Sequence, residues 1–197
     1  MLKVKFNLKG VGPIFFGKYV AEPKRDNETH DQLERRTWPQ KIHLDENGEI
    51  ILPGLAFKNA LDSAGSWLGT KIPGKGNATY AKRFRCGVVI DSDLKILNGA
   101  GQSATPEDIE EIEMFVPSDG KRGGGKRVAK IFPRLPEWSA NGVCYVMDEA
   151  ITEDVFCSHL KAAGQFIGFG SMRVENGGTT GRFKFTPADL EFTEEEL

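Results

Sequence analysis

The residues best suited to chemistry in this chain of 197 residues lie in a glycine-rich stretch near its C-terminal end. Residues 164–170 read Gly-Gln-Phe-Ile-Gly-Phe-Gly and lead to Arg173, and a second cluster, Gly177-Gly178, leads to Arg182. Glycine permits positive φ and close approach of the backbone, and its N–H groups can receive phosphate. Set between two arginines, the stretch is typical of a loop that binds a nucleic-acid backbone. The same glycines could instead only cap a helix and turn a hairpin.

Basic residues are concentrated in two further stretches, although the net charge is −2. Residues 121–130 contain five basic residues and no acid. The pair Arg35-Arg36 shortly precedes Trp38, and arginines beside an exposed aromatic can bind phosphate and stack a base. Local charge separation of this kind can conceal a phosphate-binding face behind a nearly neutral total. A solvated surface would also explain the charges, and a packing anchor would explain Trp38 before Pro39.

The sequence lacks the usual motifs of catalysis and metal binding. It contains no Gly-x-Ser-x-Gly elbow and no phosphate-binding GxxxxGK[ST] motif. Its cysteines, Cys86, Cys144 and Cys157, are far apart and odd in number, which indicates buried thiols in a reducing compartment. The histidines lack the paired spacing of a zinc site. We therefore expect no metal and no cofactor.

Apolar periodicity defines the elements that must position these residues. One helix follows Pro53-Gly54 and is ended by Gly69, and a second is capped by Thr152 or Asp148. Alternation of apolar and polar residues predicts strands at 2–9, 49–52, 80–90, 143–147 and 182–185. Strand–helix–strand therefore occurs twice, separated by a long insertion.

Two β-α-β halves predict an α+β fold, a ferredoxin-like (RRM-like) β-α-β-β-α-β sheet with long loop insertions, in a single domain over 1–197. Outside the sheet we expect a polar loop excursion at 21–41, an irregular thumb-like insertion at 98–136 and a frayed acidic tail at 186–197. The chain has no apolar run of about 18 residues and no secretory leader pattern, so we expect a cytoplasmic protein with no membrane contact.

The order of these motifs resembles the RAMP superfamily, the ferredoxin-like proteins of CRISPR effector complexes. The resemblance rests on Ile-Leu-Pro-Gly-Leu-Ala-Phe-Lys-Asn-Ala-Leu at 51–61 and on the glycine-rich stretch from Gly164 to Phe183. The insertion at 98–136 is similar to the thumb of the backbone subunits, which coat CRISPR RNA as a filament. The resemblance implies sequence-tolerant binding of single-stranded RNA by its backbone, and assembly with copies of itself or with other CRISPR effector subunits.

The candidate nucleic-acid-binding residues are basic side chains, one aromatic and the glycines beside them. Lys58 is included because it lies near the start of a helix, where it could add to the positive end of the dipole. The full set is Arg35, Arg36, Trp38, Lys58, Lys121, Arg122, Lys126, Arg127, Gly168, Gly170, Arg173, Gly177, Gly178 and Arg182.

Ribonuclease activity is a further implication of the resemblance, because some RAMP proteins cleave RNA with a histidine or an aspartate. His30 and Asp31 are the candidates here, and no recognisable catalytic motif surrounds them. We therefore expect a protein that is not an enzyme.

Two other functions remain open at the level of sequence. A phage-borne mimic of a CRISPR backbone subunit would act as an inhibitor through protein contacts, which the acidic tail and slightly negative charge would suit. A single-stranded DNA-binding protein would use the tail at Glu194–Glu196 to recruit partners.

Overall fold

The computed structural model describes residues 1–118 and 125–196 and has an α+β fold. Short 3-10 helices occur at Trp38–Lys41, Pro106–Asp108, Val174–Asn176 and Pro187–Asp189, and a π-helix at Ala163–Ile167. The strands and α-helices, in chain order, are β1 (Leu2–Val11), β2 (Ile14–Phe15), α1 (His30–Thr37), β3 (Ile51–Leu52), α2 (Gly54–Leu68), α3 (Ala81–Gly87), β4 (Val88–Val89), β5 (Leu94–Asn98), β6 (Glu110–Pro117), β7 (Arg127–Leu135), β8 (Trp138–Val146), α4 (Glu153–Ala162), β9 (Arg182–Lys184) and β10 (Leu190–Glu194).

The main sheet has seven strands in the order β10-β1-β8-β5-β3, with β9 also paired to β1 and β4 to β8. All of these pairings are antiparallel. The series β1, α2, β5, β8, α4 and β9 with β10 is the β-α-β-β-α-β sequence of a ferredoxin-like domain. The predicted fold class is confirmed.

The core lies between this sheet and the helices. Along β1, Val4, Phe6 and Leu8 are buried, while the alternate residues Lys5 and Asn7 are exposed. Phe6 stacks on Phe57 of α2 with ring centroids 4.4 Å apart. Since alternate residues of a strand face opposite sides, the helices cover one face of the sheet and leave the other open.

Both predicted helices are present with the caps that the sequence indicates. Gly69 ends α2 in the left-handed region, at φ 56°. Thr152 begins α4, and its hydroxyl accepts a hydrogen bond from the Val155 N–H. The apolar stripe of α4 continues through the π-helix, so that Phe156, Leu160, Ala163 and Ile167 are all buried.

The strand predicted at 80–90 is wrong in most of its length, because residues 81–87 form α3 and only Val88–Val89 is a strand. Tyr80, Phe84 and Val88 are buried at intervals of four, whereas Cys86 is exposed. The alternation seen in the sequence was therefore one stripe of a short helix followed by a short strand.

The two excursions are more regular than the sequence suggested. Within 21–41, α1 begins with a capping box between Thr29 and Gln32. Within 98–136, β6 and β7 pair from Glu110↔Arg134 to Pro117↔Arg127. This β6–β7 hairpin joins β2 in a second, three-stranded sheet.

The C-terminal segment is not frayed in its described part. Thr186 and Asp189 form a capping box, and β10 then pairs with β1 from Phe6↔Leu190 to Leu2↔Glu194. Acidic composition concealed this strand, because an edge strand needs only one apolar face.

Two further expectations concern the cysteines and membranes. Cys144 is buried, and burial raises the pKa of its thiol; Cys157 is half-buried, but Cys86 is exposed, against expectation. All three are free thiols. Within the described residues, no helix is both long and apolar enough to cross a membrane.

Candidate nucleic-acid interface

The glycine segment, residues 164–181, is held on the rest of the protein mainly through its own backbone. Within the segment, the N–H of Phe169 donates to Gly181 O over 2.8 Å, and the N–H of Ser171 donates outside it, to Phe15 O, over 2.9 Å. The N–H of Gly168 donates to Ala163 O at the end of the π-helix. These amides are already occupied, so they are not available for phosphate.

Several glycines are required because backbone passes very close to them. A Cβ on Gly178 would lie 1.9 Å from Met172 O, and one on Gly170 would lie 2.3 Å from Phe15 O. Gly168 and Gly177 have φ of 76° and 75°. Packing and turn geometry therefore explain these positions, as the alternative interpretation of the sequence held.

The segment nevertheless forms one wall of a groove whose other wall is α2. Two adjoining cavities of about 770 and 260 Å³ share Asn59, Ser63, Ile167 and Glu175 in their lining. Gly168, Gly170 and Arg173 line the smaller cavity. The structure thus brings together three of the predicted site residues, and we call this feature the α2 groove.

Two exposed aromatic side chains stand together in the α2 groove. Trp67, near the end of α2, and Phe166, in the π-helix, stack with ring centroids 5.6 Å apart and an interplanar angle of 28°. Their exposed fractions are 65% and 43%. Large aromatic surfaces left in water are typical of binding sites, and a stacked pair offers a platform to a flat ligand.

The charges of the α2 groove are mixed. Arg85 of α3 lines the larger cavity and forms no ion pair with any described residue. Arg173 donates from Nε to Glu175 over 2.9 Å and from Nη1 to Gly170 O over 3.3 Å. A guanidinium has five N–H donors, so further donors of Arg173 remain for a ligand.

Lys58 does not act at a free helix terminus. Its ammonium group hydrogen bonds to Asp62 and donates to Phe84 O over 3.0 Å, which ties α2 to α3. The N-terminus of α2 is instead capped by Asp93, whose carboxylate accepts from the Gly54 N–H over 2.9 Å. An acid at that end already satisfies the helix dipole.

The pair Arg35-Arg36 is engaged with acids of the protein. Arg36 pairs with Glu22 and Glu28, and its hydrogen bonds, followed by the Arg25 N–H, lower the pKa of Glu28 to about 2. Arg35, on the exposed side of α1, pairs with Glu113 of β6 over 2.7 Å.

Trp38 lies half-buried at the start of the 3-10 helix that follows α1. The backbone N–H of Trp38 donates to Glu34 O and so ends α1. The packing interpretation of the sequence suits this position better than base stacking does.

The remaining predicted cations are divided among separate places. Lys126 and Arg127 are exposed at the distal end of the β6–β7 hairpin, where Arg127 donates to Phe115 O over 3.2 Å. Lys121 and Arg122 lie outside the described residues. Arg182 is exposed on β9.

Sequence reasoning missed Trp67, Phe166 and Arg85. Trp67 belongs to the apolar stripe predicted for α2, but its exposure shows that it lies at the border of that stripe, and Phe166 lies outside the stripe predicted for α4. A signal existed in the sequence, because Trp67 follows the polar residues Asn59 and Ser63 at intervals of four on the same helical face.

The fold is that of a ferredoxin-like domain extended by a hairpin sheet, and the chain is similar to chains of known structure. The chain matches Cmr6 from Pyrococcus furiosus with a TM-score of 0.48 and 14% identity, over 93% of this chain and 98% of that one. It matches a chain of the Type III-B Cmr-beta complex bound to cognate target RNA with a TM-score of 0.51 and 12% identity, over 97% of this chain but only 60% of that one.

The match to the Cmr-beta chain shows a shared fold, and this agrees with the ferredoxin-like architecture that the resemblance implies. No protein-family model and no curated protein sequence matches the chain. At these identities the likeness describes architecture, and the function has to be argued from the surface of this protein.

Proposed function

We propose that this protein binds single-stranded RNA in the α2 groove, in a sequence-tolerant manner, as a non-catalytic component of a CRISPR effector assembly. The observation that carries the proposal is the exposed Trp67–Phe166 stack in a groove also lined by Gly168, Gly170 and Arg173. Stacking on aromatic side chains contributes about 1–3 kcal/mol per base and tolerates any sequence, because every base has a π-face.

Cations in two places, the α2 groove and the β6–β7 hairpin, would bind the phosphates of the RNA. Arg85 and the spare donors of Arg173 lie along the α2 groove. Farther away, Lys126, Arg127 and Lys130 are exposed along the hairpin. Contacts of this kind give affinity without sequence preference and weaken with salt.

The setting in a CRISPR effector complex is supported by the fold shared with a chain of the RNA-bound Cmr-beta complex. Assembly with copies of itself or with other effector subunits is supported by the β6–β7 hairpin, where Phe115 is 67% exposed. An aromatic side chain so far out of the core is typical of a surface that another molecule covers.

The absence of catalysis is part of the proposal. His30 and Asp31 are exposed in the first turn of α1, and neither side chain hydrogen bonds to another described residue. A general base or nucleophile is normally oriented by such a bond. Cleavage of labelled RNA that disappears in both His30→Ala and Asp31→Ala would contradict this part of the proposal.

Fluorescence anisotropy with labelled single-stranded RNA, single-stranded DNA and duplex DNA across a salt series tests the binding. The double variant Trp67→Ala/Phe166→Ala should bind RNA at least about tenfold more weakly. Tyr19→Ala/Leu55→Ala removes two exposed apolar side chains outside the α2 groove and serves as the matched control. Equal RNA affinity of the two double variants would overturn the assignment of the groove.

A protein-binding inhibitor is the second candidate, and one observation favours it. Several predicted RNA-binding cations are neutralised by acids of the same chain, among them Arg35, Arg36 and Lys58. Under this alternative the purified protein would bind none of the three nucleic acids, yet would co-purify with a CRISPR effector complex. Tight binding of DNA alone would instead support the single-stranded DNA-binding alternative.

A further inference from the structure

The face of the main sheet opposite α2 and α4 is open to solvent and rich in nitrogen groups. The strand register places Lys95, Asn141 and Asn7 in one row across β5, β8 and β1. In a neighbouring row, Lys9 of β1 lies opposite Lys184 of β9. We call the following set the open-face patch: Asn7, Lys9, Lys95, Asn141, Arg182 and Lys184.

The four cations of the open-face patch form no ion pair with any residue in 1–118 or 125–196. Asp189 interacts electrostatically with Lys9, and Asp45 interacts in the same way with Lys95. Both carboxylates are committed to local turns, however. Asp189 accepts from the Thr186 N–H, and Asp45 accepts from the N–H groups of Asn47 and Glu49.

The other end of the same face is neutral. Lys3 pairs with Glu195 over 2.7 Å and Lys5 pairs with Glu191 over 3.0 Å, so β10 and the residue that follows it supply one acid for each lysine there. The unpaired positive charge is therefore confined to the part of the sheet where β9 replaces β10 beside β1. Its local excess stands out in a protein whose net charge is −2.

Asn141 lies on β8, between the β5 and β1 residues of the patch, and one atom of its side chain has no hydrogen-bond partner among the described residues. Its Oδ1 is shielded from water and accepts no hydrogen bond from the described residues. A buried acceptor without a donor is unfavourable for the folded state, because it has lost its hydrogen bonds to water. A ligand can donate to this oxygen only if the Asn141 side chain turns outward on binding, and that hydrogen bond would then satisfy the acceptor.

The composition of the patch favours a phosphodiester chain over a protein partner. Protein interfaces are depleted in lysine and enriched in aromatic residues, whereas the patch has three lysines, one arginine and no aromatic residue. Lysine and arginine contact phosphate, and asparagine can pair with the edge of a base. Every requirement of the patch is met by a strand with phosphates on one side and bases on the other.

We propose that the open-face patch binds a second segment of single-stranded nucleic acid, with phosphates at Lys9, Arg182 and Lys184 and base edges at Asn7 and Asn141. This goes beyond the function proposed above, because the α2 groove lies on the helical side of the sheet. The protein would hold two segments, or two strands, on opposite sides of one sheet.

The test removes one surface at a time. In the Trp67→Ala/Phe166→Ala background, Lys9→Glu/Lys184→Glu is compared with Lys75→Glu/Lys161→Glu, which makes the same charge change at exposed lysines elsewhere. Anisotropy is measured with labelled single-stranded RNA and DNA of about 12 nucleotides at several salt concentrations. Lys9→Gln/Lys184→Gln replaces the glutamate variant if thermal melting shows that the latter is unfolded.

The proposal expects the patch variant to lose at least about tenfold in affinity at low salt, with the control close to its parent. The slope of log affinity against log salt should become shallower by about 1.4, since each phosphate contact contributes about 0.7 for a single strand. Equal loss in both strand types supports recognition through phosphate, and a loss with RNA alone supports recognition that includes the ribose.

Two outcomes would overturn the proposal. In one, the patch variant and its control bind with the same affinity and salt slope. In the other, an oligo-glutamate peptide binds the parent and loses affinity in the patch variant while neither oligonucleotide does, which would make the patch a docking site for acidic protein. The proposed function fails separately, if the Trp67→Ala/Phe166→Ala variant binds RNA as tightly as the unmodified protein.

Discussion

The backbones of Gly181 and Phe169 lie so close together that no side chain would fit on Gly181. The Phe169 N–H donates to Gly181 O over 2.8 Å, while a Cβ on Gly181 would lie 1.8 Å from Phe169 O. The Gly181 N–H donates in turn to Pro13 O over 2.9 Å. This pair therefore fixes the glycine segment to the β1–β2 turn, and with it one wall of the α2 groove.

Gly181→Ala should lower the free energy of unfolding by more than about 3 kcal/mol, because it combines positive φ with a backbone clash. Gly12→Ala is the matched control: its φ is 83°, but a Cβ there would meet no atom within 4 Å. That variant should lose about 1 kcal/mol from the left-handed conformation alone. Urea unfolding measures both, and equal losses would contradict the clash.

Trp138→Phe should destabilise the protein by about 2 kcal/mol, since its Nε1–H donates to Gly12 O over 3.0 Å and the indole is buried. Gly10 has no room for a side chain at this place, because a Cβ would lie 2.5 Å from Nε1. Trp67→Phe, at an exposed site, should change stability by less than about 0.5 kcal/mol. Chemical unfolding followed by circular dichroism would show whether the two tryptophans differ in this way.

His159 should make the protein less stable in mild acid. It is buried against Phe84 with ring centroids 4.1 Å apart, Nδ1 lies 2.7 Å from Val155 O, and Nε2 has no partner among the described residues. Burial lowers the pKa of His159, so the folded protein keeps the ring neutral while the unfolded chain binds a proton below about pH 6.5. The free energy of unfolding should therefore fall as the pH drops through that value.

His159→Phe should reduce this loss between about pH 7 and pH 5, measured by urea unfolding at each pH. A residual dependence is expected from His43, whose pKa burial also lowers. An unchanged pH dependence in the His159→Phe protein would show that the buried imidazole is not its source.

The segment at 190–194 should be protected from hydrogen exchange, although its composition is acidic. Its amides pair with β1, and Phe192 packs edge-on against Phe156 with centroids 6.2 Å apart. Native-state exchange should give protection well above that of the loop at 24–28. Phe192→Ala should lower that protection selectively, and exchange at the rate of an unstructured peptide in the unmodified protein would refute the pairing.

The parts of the fold that the sequence predicted well are those where local and tertiary signals agree. Pro53-Gly54, the stripe that begins at Phe57 and the stop at Gly69 all specify one helix, and the core uses that stripe as far as Ala64. In α4, the cap at Thr152 and the stripe that begins at Phe156 agree in the same way. The ferredoxin-like class was predicted from two strand–helix–strand halves, and the first half contained the incorrect strand at 80–90 in the place that β5 takes in the structure.

The errors arose where a short element or a charged face weakened the pattern. α3 has only seven residues, too few for a helical spacing to recur. The even-numbered apolar residues Phe84, Val88 and Ile90 therefore resembled the alternation of a strand. In β6, glutamates alternate with Ile112 and Met114. The surrounding glycines and charged residues obscure this period of two.

The site was predictable only in part, because exposure and pairing are tertiary properties. Sequence alone selected Gly168, Gly170 and Arg173 as candidates, and the structure shows that they line the α2 groove. It could not show that Lys58 would be taken up by Asp62, since any exposed helix allows such a pair without requiring it. Nor could it separate Arg182 from the groove, because which face of β9 that residue occupies depends on the register with β1.

β1 pairs with strands that come much later in the sequence, and this has a consequence for how the chain folds during its synthesis. One edge of β1 pairs with residues 139–146 and the other with 182–184 and 190–194. β1 therefore leaves the ribosome with both edges unpaired, and neither can close until most of the chain has been translated. Contacts of such long sequence separation slow folding and prolong the exposure of an apolar strand. Slower translation of residues 12–137 should therefore extend the period in which nascent chains depend on chaperones.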